Sequence, residues 1–442
     1  MTAPALTSFA APRAVAPAQW LDSPAALPAV ALVVSMATLV QSYVLVKLFF
    51  LAVFLLAAGW AVLRGRSLAA HPRLVLFYVA LGVLGIIWAL VGLQHGANHV
   101  TGATDALRLY LVWSAAFLLL YTLLRAERSL EVWHWSMVWA GIAISLLNLA
   151  GLADSYWGLG LMSQAMRVEL DLFVAARDGF FQITSQNIGT MFLIVPYLMA
   201  TELRADSSRR YRWLSRLSLA LSLTLVALAG RRALWLAVAL MPVAILALAT
   251  VTGSLGRLTR SGRRALIAYW AAAVVGVSLL PFARVLPVSV TSSGAFGYLN
   301  AAFTAQDERT IQKSYLVEAF AEAPWFGSGF GSTARYLRDY ERPWAGYELT
   351  YHQMLFNLGV VGTALLGGLV AAYLVMVVRL IRRNPEGSAV PFALLVSFCS
   401  LLIGAYSNRY FGSFDLLFFV GLLPFLASFR TGFAPWAPRE AP

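Results

Sequence analysis

A succession of long apolar runs dominates this sequence and limits what the chain can fold into. About 20 apolar residues in a helix span the hydrocarbon core of a bilayer, where a helix satisfies its own backbone hydrogen bonds. Of the 442 residues, 60% are hydrophobic and 12% charged, which excludes a water-soluble enzyme. The predicted spans are 26–42, 44–63, 74–93, 106–124, 131–151, 187–202, 213–230, 233–251, 265–283, 352–378, 389–406 and 414–429.

The basic residues predict how these spans are oriented. The chain has 33 Lys and Arg against 20 Asp and Glu, and basic loops collect on the cytoplasmic side of a membrane. Because topology accounts for this excess, it does not indicate a nucleic-acid partner. If the N-terminus is inside, the arginine-rich connections all fall on the cytoplasmic side, at 64–73, 125–128, 204–212, 257–264 and 379–383.

Spans and orientation together predict an all-α integral membrane protein with about 12 transmembrane helices. Its largest loop precedes the tenth helix and faces outward, where we expect short helices to lie over the bundle as a lid. The predicted parts are a cytoplasmic lead 1–24, transmembrane helices 1–9 in 25–283, the outer loop or lid 284–351, transmembrane helices 10–12 in 352–430 and a cytoplasmic tail 431–442.

Basic residues on the outward side oppose the topological preference and therefore need a reason. Arg231 and Arg232 lie in a tight turn between two spans, and Arg309 and Lys313 share one face of a helix predicted over 307–322. Arginine binds phosphate oxygens in pairs, so these residues predict a site for a lipid-linked diphosphate. The alternative is that they snorkel or pair with carboxylates next to them in the chain.

Glu348 and His352 are one helical turn apart, where the outer loop enters the tenth span. A carboxylate and an imidazole on one face suit a general base and its orienting partner, although a packing role for the histidine is the alternative. The sequence has no metal-binding motif and no complete nucleotide-binding motif. We therefore expect no metal and no other cofactor.

Two further features of the outer loop have alternative interpretations. The sequence Gly-Ser-Gly-Phe-Gly at 327–331 indicates either a phosphate-binding loop or, as favoured here, a turn that folds the lid back, because no Lys-Ser/Thr follows it. The aromatic residues Trp325, Trp344 and Tyr347 offer faces for stacking sugar rings, or they anchor the loop at the membrane interface.

Three stretches in order resemble the O-antigen ligase and polymerase superfamily, which contains WaaL-type ligases and Wzy-type polymerases. They are Gly230 to Leu234, Arg309 to Gly331 and Glu348 to Gly362. The plan of twelve spans with a large outer loop before the tenth also resembles that family. The resemblance implies a GT-C-like membrane glycosyltransferase in a bacterial inner membrane, with both termini cytoplasmic and the site facing the periplasm.

The resemblance also implies the chemistry. Arg231 and Arg309 are implied to hold the diphosphate of an undecaprenyl-linked glycan donor, and Glu348 or His352 to act as the base in an inverting, metal-independent transfer. The acceptor is a growing glycan in the polymerases and a lipid A core in the ligases. Ligases typically have a histidine at the position of Glu348, which favours the polymerase interpretation. A twelve-helix transporter or lipid flippase is the more distant alternative.

Overall fold

The computed structural model describes residues 26–40, 42–64, 72–95, 100–115, 126–177, 180–204, 212–229, 231–264, 267, 308–335, 347–383 and 388–406. Within them the chain is mostly helical. Two predicted spans, 265–283 (apart from residue 267) and 414–429, lie outside these residues, as do the predicted cytoplasmic lead and tail.

Helices form at each of the other predicted spans, and two more form in the predicted outer loops. A π-helix, Arg108–Trp113, continues α4, and a 3-10 helix, Gln186–Thr190, precedes α7. In chain order the α-helices are α1 (Ala26–Thr38), α2 (Val44–Leu63), α3 (Pro72–Gln94), α4 (Val100–Leu107), α5 (Ala126–Trp157), α6 (Gln164–Glu169), α7 (Met191–Leu203), α8 (Arg212–Leu228), α9 (Arg232–Val251), α10 (Glu308–Glu322), α11 (Thr350–Arg383) and α12 (Ala389–Ala405).

Helix length separates candidate membrane spans from shorter apolar helices. A helix rises about 1.5 Å per residue, so the 13 residues of α1 cover roughly 20 Å of a hydrocarbon core about 30 Å thick. The described residues support a helical membrane protein, and the arrangement of twelve spans stays a prediction. By length and composition, the helices able to cross a membrane are Val75–Gln94, Val132–Trp157, Ala233–Val251 and Thr350–Arg383.

The helix α7 lies in the interior of the bundle. Every residue from Met191 to Leu198 is buried, as expected for a helix that is apolar on all sides. The helix α12 packs against it: Ser397 Oγ donates a hydrogen bond to the Leu193 carbonyl at 2.8 Å. A Cβ atom at Gly404 of α12 would lie 2.6 Å from the Phe192 ring, so the missing side chain lets the two helices approach closely.

Contacts beyond the helix ends show which ends lie together. Arg204, after α7, forms a backbone bridge with Leu258, and its Nη2 donates to Ser388 Oγ, just before α12, at 3.1 Å. Arg382, near the end of α11, donates from Nε to the carbonyl of Val251, the last residue of α9, at 2.7 Å. These contacts join the C-terminal end of α7 to the N-terminal end of α12, and the C-terminal ends of α9 and α11 to each other.

The loop predicted over 152–186 contains a β-hairpin, which the all-α prediction did not include. Its strands, β1 (Phe173–Arg177) and β2 (Phe180–Thr184), pair antiparallel. Both are short and contain aromatic or β-branched residues, which favour a strand where a segment is too short for a stable helix. An ion pair between Asp154 and Arg167 closes the loop before the hairpin.

Candidate functional site

The helix predicted over 307–322 is confirmed as α10, and its first turn holds an ion pair. Arg309 Nε donates a hydrogen bond to Glu348 Oε2 at 2.9 Å. The side chains are 39% and 26% exposed, so solvent and ligands reach the pair. This partner is 39 residues away along the chain, which the expectation of a local ion pair did not include.

Gln312, which the sequence analysis did not single out, also holds Glu348. Its side chain is fully buried, and its Oε1 accepts a hydrogen bond from the Glu348 backbone N–H at 3.0 Å. Arg309 and Gln312 are three residues apart and therefore share a face of α10. One helix turn thus contacts Glu348 at its carboxylate and at its backbone. The signal was an amide side chain one turn after Arg309, which is too common a pattern to be informative.

Lys313 and His352 complete this group. Lys313 is exposed on α10, and its positive charge acts on the partly buried imidazole of His352 in α11. The Nδ1 atom of His352 is buried and has no hydrogen-bond partner within the described part of the chain. The structure therefore brings together two predicted basic residues and both predicted base candidates. Below, Arg309, Gln312, Lys313, Glu348 and His352 are called the charged site.

Two of the three predicted aromatic sugar contacts lie in the described residues, and they differ in exposure. Trp325 is 67% exposed and presents its ring outward. Tyr347 is 1% exposed, so its ring offers no stacking face in this structure, and that prediction is corrected. Its hydroxyl accepts a hydrogen bond from Ala334 N–H at 2.6 Å, and burial raises the pKa of the phenol to about 12. Trp344 lies outside the described residues.

The glycine-rich turn at 327–331 is tied to the protein by its own backbone. Four of its five N–H groups donate to backbone carbonyls, so they are not directed at a phosphate. The interpretation as a turn fits this geometry, and the phosphate-binding loop does not. The four bonds, each 2.9 Å, are Gly327 to Ala323, Ser328 to Phe356, Gly329 to Asn357 and Phe330 to Trp88.

This turn crosses two helices at points where glycines meet. Gly359 interrupts α11 with φ +62° and ψ −171°, and a Cβ there would overlap the Gly327 backbone. Gly329 lies directly against Gly92 of α3: a Cβ on Gly329 would overlap the Gly92 backbone, and a Cβ on Gly92 would overlap the Phe330 backbone. The indole of Trp88 donates to the Phe326 and Leu358 carbonyls at 2.8 and 2.9 Å. We call this junction of 324–331 with α3 and α11 the glycine junction.

Arg231 lies in a separate polar group at the start of α9. Its Nη2 donates to the Ser185 carbonyl at 3.1 Å. Ser185 Oγ is within 2.7 Å of the side-chain oxygens of Asn148 and Asn187, and all three residues are buried. Arg232 is the first residue of α9, and its side chain lies outside the described part of the structure. No sequence pattern predicted that Arg231 would meet this buried amide group.

The described residues therefore place the predicted phosphate-binding residues in two groups. In the described structure Arg231 bonds to Ser185, whereas Arg309 bonds to Glu348. Within the described residues there is also no cluster of three or more His, Cys, Asp or Glu side chains able to hold a metal ion. Of the two groups, the charged site is the one that combines basic residues (Arg309 and Lys313) with the candidate bases (Glu348 and His352).

No protein-family model matches this chain, and no curated protein is significantly similar to it.

Proposed function

We propose that this protein transfers a glycan from undecaprenyl diphosphate to an acceptor hydroxyl at the outer face of the bacterial inner membrane, in the manner of a Wzy-like polysaccharide polymerase. The observation that carries the proposal is the Arg309–Glu348 ion pair, with Lys313 and His352 beside it. It combines cations suited to a diphosphate with a carboxylate and an imidazole suited to proton transfer. The resemblance to the O-antigen ligase and polymerase superfamily supports the same chemistry.

In the proposed reaction, the acceptor oxygen attacks C1 of the donor sugar while the bond from C1 to the diphosphate oxygen breaks. The acceptor proton passes to Glu348 or His352, and the bonding electrons leave with the diphosphate. Arg309 and Lys313 stabilise the negative charge that develops on the leaving group. Attack on the face opposite the leaving group inverts the configuration at C1. No nucleotide and no metal ion takes part.

The ion pair also suggests how donor binding prepares the base. A diphosphate carries more negative charge than a carboxylate and binds a guanidinium with similar geometry. Donor binding at Arg309 would therefore displace Glu348, and the released carboxylate would be available to accept the proton. Gln312 would keep the Glu348 backbone in place during this exchange.

Arg231 enters the proposal through the resemblance, as a second contact to the diphosphate. Its hydrogen bond to Ser185 holds the guanidinium at the start of α9. For both arginines to contact one donor, the diphosphate must bridge the two polar groups. A conservative Arg231→Lys variant tests this, because lysine keeps the charge and loses the planar pair of donors.

The test is a transfer assay with the full-length protein in liposomes. The donor is the undecaprenyl-linked glycan extracted from a host strain that lacks the gene, and the readouts are released undecaprenyl diphosphate and glycan length. Arg309→Ala and Glu348→Gln are each expected to lower the transfer rate by about 10²–10³-fold. Arg216→Ala is the matched control, because Arg216 forms an exposed ion pair with Glu202 on other helices. Parental rates in folded Arg309→Ala and Glu348→Gln would refute the proposal.

The host strain itself separates the competing functions. Loss of a polymerase leaves single repeat units on the lipid carrier or singly on the cell surface. Loss of a ligase instead leaves long chains on the carrier and a bare lipid A core. An unchanged surface glycan and carrier pool would exclude both and favour a transporter or flippase.

A further inference from the structure

A polar cleft lies on the side of α10 that faces away from Arg309. Its volume is about 350 Å³, within the range of small-molecule binding sites. The cleft residues that carry the argument come from three segments: α10, the two residues after the glycine-rich turn, and the residue after α3. They are Tyr315, Glu318, Glu322, Ser332, Thr333 and His95.

Helix periodicity explains why α10 has two different faces. Arg309 and Gln312 are three residues apart and both contact Glu348, and Lys313 lies four residues after Arg309. Glu318 and Glu322 are also four apart, but they project from the opposite side of the helix. The helix therefore presents cations toward α11 and carboxylates toward the cleft.

Buried aromatic packing forms the wall between the cleft and the charged site. Tyr347 and Phe356 pack edge to face with ring centroids 6.4 Å apart, and Tyr347 is bonded to Ala334 in the cleft wall. Phe356 itself lines the cleft. Glu318 is nine residues after Arg309 in α10, which corresponds to about 13 Å along the helix axis. A ligand longer than one sugar is needed to reach both.

The charges of the cleft indicate the class of ligand. Glu318 is paired with Arg335 at 3.3 Å, and Glu318, Glu322 and Arg335, the described Asp, Glu, Lys and Arg residues at the cleft, carry a net charge of −1. This charge opposes binding of a phosphate and favours hydroxyl groups, which donate hydrogen bonds to carboxylates. Ser332 and Thr333 add hydroxyls, and Tyr315 adds a partly buried ring.

We propose that this cleft binds hydroxyl groups of a glycan at sugars other than the reacting one. The inference rests on the proposed function, because it assigns the second glycan contact of the same enzyme. The charged site holds the reacting end of the chain, and the cleft holds a part further along. Such a contact adds binding energy away from the reacting carbon and helps to align it.

The test measures binding without catalysis, using the full-length protein in lipid nanodiscs. The probe is the free oligosaccharide released by mild acid from the host's lipid-linked pool, and saturation-transfer NMR measures its binding. The Glu318→Gln/Glu322→Gln double variant keeps side-chain size and removes both charges. Glu169→Gln, an exposed carboxylate of α6, is the matched control. A melting temperature equal to that of the parent confirms that each variant is folded.

The proposal predicts that the parent and Glu169→Gln bind the oligosaccharide equally, and that the double variant binds it about tenfold or more weakly. Parental binding by the double variant, or no binding by the parent, would overturn it. Binding of Ca²⁺ by the parent without binding of the oligosaccharide would make the cleft a cation site and overturn it as well.

The transfer assay distinguishes the two sources of the glycan and the two proposals. A raised KM for the acceptor in the double variant assigns the cleft to the acceptor glycan, and a raised KM for the donor assigns it to the donor glycan. If the parent binds the oligosaccharide but transfers no glycan, the proposed function is refuted and the proposal that the cleft binds glycan is upheld. If transfer is intact and cleft substitutions change neither binding nor KM, the cleft proposal alone fails.

Discussion

The helix α10 meets its neighbours in different ways at its two ends. Beyond its C-terminus, the glycine junction joins α3 and α11 through backbone hydrogen bonds of 2.8–3.0 Å and has no room for a side chain at Gly329 or Gly359. At its N-terminus, the charged site is joined by side chains that are partly exposed. The glycine junction leaves no space for its segments to shift, whereas the side chains of the charged site can exchange their partners for a ligand.

This difference indicates that the two ends of α10 have different roles. Backbone contacts between glycines keep the segments at one spacing, because any added atom collides. A partly exposed ion pair is weak in water and can yield to a ligand of higher charge. The glycine junction therefore fixes where α10 and α11 meet, and the charged site a few turns away is positioned for exchange. Rigid support beneath an adaptable site is the arrangement that precise ligand binding needs.

The largest expected effect comes from breaking the glycine junction with Gly359→Ala. Its positive φ is unfavourable for alanine, and the added Cβ would overlap the Gly327 backbone. We expect destabilisation by more than about 3 kcal/mol, seen as lost yield or a much lower melting temperature in detergent. Gly368→Ala is the control in the same helix, because its surroundings are open, and it should leave stability unchanged or slightly raised. Equal melting of both variants would contradict the junction.

The next effect tests whether the charged site acts as one unit. If Arg309 and Glu348 are exchanging partners, the double variant Arg309→Ala/Glu348→Gln should transfer glycan no more slowly than the slower single variant. Each single variant is expected to lose about 10²–10³-fold, so independent contributions would instead multiply. The measurement is kcat/KM for the parent, the two single variants and the double variant, which together form a double-mutant cycle. Multiplicative losses would show that the two side chains act separately.

A smaller effect is expected for Gln312→Met, which keeps the side-chain volume and removes the acceptor for the Glu348 N–H. Because the Glu348 N–H then loses this acceptor and its backbone is held less firmly, we expect kcat to fall about tenfold with KM little changed. Gln164→Met, an exposed glutamine of α6, is the control. An unchanged kcat in a folded Gln312→Met protein would mean that Gln312 only packs.

The smallest effect is expected for Tyr347→Phe, beneath the charged site. Loss of the hydroxyl leaves the buried Ala334 N–H without its acceptor, which costs about 1–2 kcal/mol of stability. The pKa of Tyr347 is raised to about 12 from the ordinary 10, so its contribution is complete below pH 10 and is lost between pH 10 and 12. Tyr347→Phe should weaken that alkaline dependence, whereas Tyr156→Phe, at a 62% exposed tyrosine, should not. Identical pH profiles would contradict this.

The sequence by itself determined the local structure of this protein. Apolar runs predicted the helices, because a run's hydropathy depends on its own residues alone. The spacing of Arg309 and Lys313 placed them on one face of a helix that the structure confirms as α10. The glycines at 327–331 predicted a turn, because their backbone freedom is also a local property.

Only the tertiary structure decided which of these residues meet. The Arg309–Glu348 pair joins positions 39 residues apart, and the Gly329–Gly92 approach joins the turn after α10 to α3. The burial of Tyr347 and the hydrogen bond from the Glu348 N–H to Gln312 also depend on how α10 packs against the residues that precede α11. Such contacts depend on how whole helices pack, and a single sequence does not encode that packing in any local pattern. The proposed function depends on these contacts, because a cation and a base act together only when the fold brings them within reach.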